Sequence, residues 1–116
     1  MIGRGSFDPA IGRKVLGDRA LVRELTQLAG GQGQMVHHEQ RSWASATYAG
    51  ARHRMKWAFE GAEAVAGGEL LIAALPDHDF AIPGQLVADA AVTAVDHLLE
   101  PPQLVVDVEL LVLEEA

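Results

Sequence analysis

From Leu86 onward the chain alternates almost without a break. Leu86, Ala88, Ala90, Val92 and Ala94 take one set of positions, and Val87, Asp89, Ala91, Thr93 and Val95 take the other. Farther on, Leu104, Val106, Val108, Leu110 and Val112 alternate with Val105, Asp107, Glu109, Leu111 and Leu113. A period of two belongs to a strand, whose successive side chains point to opposite faces. The break at 98–102 contains two prolines, so 86–113 reads as a β-hairpin.

A second hairpin is expected over 40–60, turning at Ala49-Gly50. That turn pairs Tyr48 with Ala51, Ala46 with His53, Ala44 with Met55 and Ser42 with Trp57. It also sets Trp43 beside Lys56 on the other face, as a cross-strand cation–π pair. The register sorts the residues into an apolar face and a polar face carrying Arg52, Arg54 and Lys56, and a slip of one residue would mix them.

Two helices complete the pattern. Leu21, Val22, Leu25, Leu28 and Ala29 form one apolar stripe with Arg19, Arg23 and Gln27 opposite, so a helix is expected over 18–29, ended by Gly30-Gly31. Residues 1–17 read as an irregular segment, although Asp8-Pro9 has the form of a helix start. Residues 30–39 read as a loop. The stretch 62–75 is a nearly all-apolar helix stopped by Pro76. Gly67-Gly68 in its middle costs roughly 1 kcal/mol per residue against alanine, which implies close approach of the helix backbone to a sheet. The whole reads as one α+β domain, 1–116: a four-stranded, mostly antiparallel sheet built from two β-hairpins joined by a helix, with a preceding N-terminal helix packed on it. Its core is expected to hold Leu25, Met55, Trp57, Ile72, Val92, Val106, Val108 and Leu110.

Charge adds a constraint that hydropathy does not. All nine Lys and Arg residues lie at or before Lys56, with four carboxylates among them, while residues 57–116 carry twelve carboxylates and no Lys or Arg. An acidic half without counter-ions repels itself unless the basic half folds against it. Arg52, Arg54 and Lys56 are therefore expected to approach Asp89, Asp107 and Glu109. A net charge of −7 weighs against nucleic acid as a partner. No apolar run approaches the ~18 residues of a membrane span. The absence of cysteine fits the cytoplasm, and abundant alanine with seven Arg to two Lys and no Asn points to a bacterial, GC-rich coding sequence.

Chemistry is sparse. Gly5-Ser6-Phe7-Asp8-Pro9 resembles the GSFDP stretch of adenylyl-transferring nucleotidyltransferases. Only four residues precede it, too few for the strand that family places there, and Arg13 and Lys14 stand where the Gly-His pair should. No cofactor is expected, and no metal site, because neither His37-His38-Glu39 nor Asp77-His78-Asp79 supplies two ligands on one face by its spacing. His53, on the apolar face of its strand, is the candidate for acid–base chemistry. Burial alone would lower its pKa and weaken folding as pH falls, unless a carboxylate stands near.

Two functions fit. One is a non-catalytic homo-oligomer, in the simplest case a dimer, whose interface uses the second apolar face of the last hairpin: Val105, Leu111, Leu113, Val87 and Val95. The alternative is a small-molecule-binding protein or enzyme, with a pocket near Tyr48, His53, His78 and the rest of 78–84.

Overall fold

The computed structural model describes residues 9–115, and side-chain environments from residue 17. The GSFDP stretch, apart from Pro9, lies outside the described residues. Helix α1 (Pro9–Leu28) leads to strands β1 (Gln34–Ala44) and β2 (Ala49–Glu60). Helix α2 (Ala62–Ala74), extended by a short 3-10 turn at Leu75–Asp77, connects to β3 (Gln85–Leu98) and β4 (Gln103–Glu114). The strands form one antiparallel sheet in the order β1-β2-β4-β3. The class is α+β, with two hairpins joined by a helix. Among the described residues no helix is long and apolar enough to cross a membrane.

Both helices lie on one face of the sheet. Leu21 and Leu25 of α1 and Val65 and Leu71 of α2 share a cluster with Met55, Trp57 and Phe59 of β2 and with Leu104, Val106, Val108 and Leu110 of β4. Six of the eight residues expected in the core are buried, and Ile72 and Val92 pack against it partly buried. Of the paired glycines Gly68 makes the expected close approach to the sheet, whereas Gly67 makes room for the end of α1. A Cβ on Gly68 would meet Leu104 and Phe59 of the sheet, and one on Gly67 would meet the Ala29 carbonyl oxygen at the end of α1. With a smallest extent of 20 Å, the molecule has room for one sheet and one helix layer. The opposite sheet face has no cover among the described residues.

The first helix begins nine residues earlier than its apolar stripe suggests, at Pro9 rather than Asp18. The stripe stops being visible at Gly17, which is buried against the Gln85 side chain of β3. Asp18 is thus inside the helix, not at its start.

The first hairpin also departs from expectation. Its turn is Ser45–Tyr48, six positions short of the expected sum, so Gln40 faces His53, Ser42 faces Ala51 and Trp43 faces Gly50. Ser45 Oγ accepts the backbone N–H groups of Thr47 (3.3 Å) and Tyr48 (3.1 Å), which closes the turn. Gly50 is a strand residue, and a Cβ there would strike the Val112 backbone carbonyl of β4. Its glycine serves a close strand approach rather than a turn. The Trp43–Lys56 pair therefore does not form, and residues 34–39 are strand rather than loop. The even shift leaves every β2 side chain on its expected face.

In β3 the simple alternation fails twice. Ala88 and Thr93 are bulges, and each extra residue flips the face of those beyond it. Val87 and Val95 consequently sit opposite Val112 and Val106 on the helix side of the sheet. They do not join Val105, Leu111 and Leu113 on the other face.

The charge split is resolved across β2 and β4. Arg52 and Arg54 reach Glu109 at 3.4 and 3.7 Å, and Lys56 reaches Asp107 at 3.4 Å. Asp89 has Leu111 as its neighbour and forms no ion pair with a cation of β2 among the described residues. Half-exposed pairs like these contribute only ~0–1 kcal/mol each, so they select the neighbour of β4 more than they stabilise it.

Two outcomes follow from this packing. Gly67→Ala should lower stability by about 1–2 kcal/mol in denaturant unfolding, because the clash with a backbone oxygen outweighs the gain in helix propensity. A fragment spanning 57–116 should show no cooperative transition by circular dichroism, since it keeps β4 but loses most of β2 and every counter-charge.

Candidate functional site

The polar residues that sequence reasoning singled out are not gathered in one pocket. Tyr48 stands in the β1–β2 turn and is exposed. His53 is in the middle of β2 and only 2% exposed. His78 follows the 3-10 turn. What His53 and His78 share is α1, because each meets a carboxylate of that helix.

At the first contact, four side chains lie in series. His38 Nε2 and His53 Nδ1 are 2.8 Å apart, and the rings are 5.1 Å between centroids. Asp18 Oδ1 stands 3.9 Å from His53 Nε2. Its Oδ2 accepts a hydrogen bond from Gln40 Nε2 at 3.2 Å. Strand alternation explains the set: His38, Gln40 and His53 are all on the helix-facing side, and Asp18 projects onto them. The tautomers set which imidazole donates in the His38–His53 hydrogen bond, and the buried His53 Nε2 faces the Asp18 carboxylate. The carboxylate that would offset the cost of burying His53 is therefore present.

At the second contact, Glu24 Oε1 is 2.9 Å from His78 Nε2. Its Oε2 accepts the Ala81 backbone N–H at 3.0 Å. The His78 ring packs edge-on against Phe80 with centroids 4.5 Å apart. This carboxylate fastens the 78–81 segment to the helix.

A shallow cleft of about 360 Å³ lies between α1 and β1, lined by Asp18, Arg19, Val22, Arg23, His38 and Gln40. It exposes one end of the imidazole pair to solvent. Among the described residues that line it there is no serine or threonine to serve as a nucleophile. Among the described residues no group of three or more His, Asp or Glu side chains could hold a metal ion. His37 points to the opposite sheet face, where it bonds Glu39 at 2.9 Å. That imidazole hydrogen bond, then its charge, holds the exposed Glu39 carboxyl below the usual carboxylate range.

The arrangement is suited to docking a helix. Sequence reasoning found His53 and His78 but missed Asp18 and His38 as partners of the first and Glu24 as partner of the second. Asp18 stood at the expected start of its helix, and His38 lay in the expected loop. Glu24→Ala should cost about 1–2 kcal/mol. Amide exchange of Ala81 and of the second half of α1 should quicken with it, as hydrogen-exchange mass spectrometry would record.

No family model matches the chain, and no curated protein sequence matches it. A solved chain from the virion of a native gene transfer agent (GTA) particle aligns with 87% of this chain and 93% of its own, at a TM-score of 0.52 and 14% sequence identity. At that identity the likeness is one of fold: the helix, hairpin, helix, hairpin arrangement is shared with a chain that is part of a virion.

Proposed function

We propose that this chain is a non-catalytic structural subunit that works by associating with copies of itself in a larger assembly. The observation that carries the reading is the fold likeness to a chain of the virion particle, which extends over 87% of this chain. Two features support it. The polar side chains best placed for chemistry are engaged in holding α1. One face of the sheet is uncovered among the described residues, and Val105 and Leu111 on it are only partly buried. A bacterial, cytoplasmic setting belongs to the same proposal, resting on residue usage and the lack of cysteine.

The form of that self-association is narrower than the sequence suggested. Of the five interface candidates, Val87 and Val95 are on the helix side, and Leu113 is already 8% exposed within one copy. Val105 and Leu111 remain, with Asp107 and Glu109 between them. A two-fold dimer through this face would have to cover the charged rows at its centre instead of leaving them at its rim.

Native mass spectrometry and sedimentation test the reading together. The purified protein should be oligomeric at tens of micromolar, with association increasing with concentration. A monomer at every concentration, carrying a retained small molecule, would favour the binding or enzymatic alternative instead.

A further inference from the structure

We propose that copies of this chain join head to tail through the two open edges of the sheet, with β3 of one copy antiparallel to β1 of the next. The inference rests on the self-assembly reading and assigns its surface.

The edges are unusual for a protein that stays alone. β1 and β3 are the outer strands of the sheet, 11 and 14 residues long, and neither contains proline. Among the described residues no strand lies beyond either. Soluble proteins commonly blunt such edges with short strands, proline or lysine, because their free N–H and C=O groups invite another strand. Here bulges are the main blunting device. They leave Asp89–Val92 as a regular run, with Leu86 and Val95 on either side. Those two flanking side chains are 52% and 49% exposed.

The strand directions allow the join. With four strands all antiparallel in the order β1-β2-β4-β3, the two edge strands run in opposite directions. A second copy in the same orientation therefore places its β1 antiparallel to β3 of the first. The rows of side chains then continue across the seam.

The contents of the rows match. One row on the uncovered face runs Trp43, Gly50, Leu113, Leu86, and the next runs Arg41, Arg52, Leu111, Asp89. In continued register, Leu86 meets Trp43 of the next copy, and Asp89 meets Arg41 of the next copy. On the helix side, Val95 meets Met35 of the next copy. Within one chain Arg41 lies opposite Arg52, an unfavourable like-charge neighbour. Among the described residues neither Arg41 nor Asp89 forms a close ion pair, although Arg41 lies near enough to Glu39 of its own strand to favour that carboxylate's charge. The seam supplies each with its opposite. By contrast, a two-fold pairing of β3 with β3 would bring together two strands whose only charges are aspartates. A contact of this heterologous kind closes into a ring or runs on as a filament.

Sedimentation velocity on exchanged edge charges decides the matter, with thermal melts to confirm that each exposed-site variant is folded. Asp89→Arg and Arg41→Asp should each weaken wild-type association about tenfold or more. Asp89→Asn should weaken it less. The double variant should regain association. An equal mixture of the two single variants should also regain association, because copies that alternate along the row meet opposite charges at every seam. Singles that assemble as wild type, or a folded double variant that does not recover, would overturn the edge assignment. If such an oligomer is instead dispersed by Leu111→Glu, self-assembly stands and the contact is on the sheet face. A wild-type monomer throughout would overturn both readings.

Discussion

Lys56 against Asp107, with Arg52 and Arg54 against Glu109, is the junction on which the fold depends. The apolar side of β4 would bury equally well against several neighbours, because hydrophobic burial has little direction. The charged side discriminates. β4 sets Asp107 and Glu109 on that side in a half-chain without Lys or Arg, and β2 bears three cations at matching spacing. Placing β2 beside β4 therefore unites the two hairpins at the sheet's centre and leaves β1 and β3 at its edges. The edge strands, the uncovered face and the seat of both helices all follow from that one adjacency.

The helices are positioned by a different kind of force. Leu21 and Leu25 bury α1 against the sheet but leave its rotation and slide loosely defined. Asp18 and Glu24, nearly two turns apart on the helix, define them through directional bonds to β1, β2 and the segment before β3. A histidine with its carboxylate in a small core invites a catalytic interpretation. Here the same chemistry specifies where a helix rests.

How much of this was legible depended on what each residue type signals alone. Strand β4 and helix α2 were readable because an unbroken period of two and an apolar block ended by Pro76 admit few alternatives. The faces of β2 were readable for the same reason. The register of the first hairpin was not, since Gly50 looks the same in sequence whether it makes a turn or yields space to Val112. Ser45, which closes the real turn through its hydroxyl, is a weak turn former without its context. The faces of β3 were hidden by Ala88 and Thr93, because nothing in an Ala/Val/Thr run marks which residue is the extra one. The site was half visible: burial of His53 follows from alternation, whereas its partners come from an element fifteen residues upstream and a helix whose start was obscured by Gly17.

The order of the strands has a consequence for how the protein is made. A ribosome delivers β1, β2 and β3 before β4, yet β4 occupies a central place between two of them. Until it emerges, Met55, Trp57 and Phe59 have a partner on only one flank, and β3 has no neighbour at all. The nascent chain therefore spends its synthesis with adhesive strands exposed, and the sheet closes by insertion rather than by addition at its margin. Aggregation threatens most between the emergence of β3 and that of β4, the strand that closes the sheet.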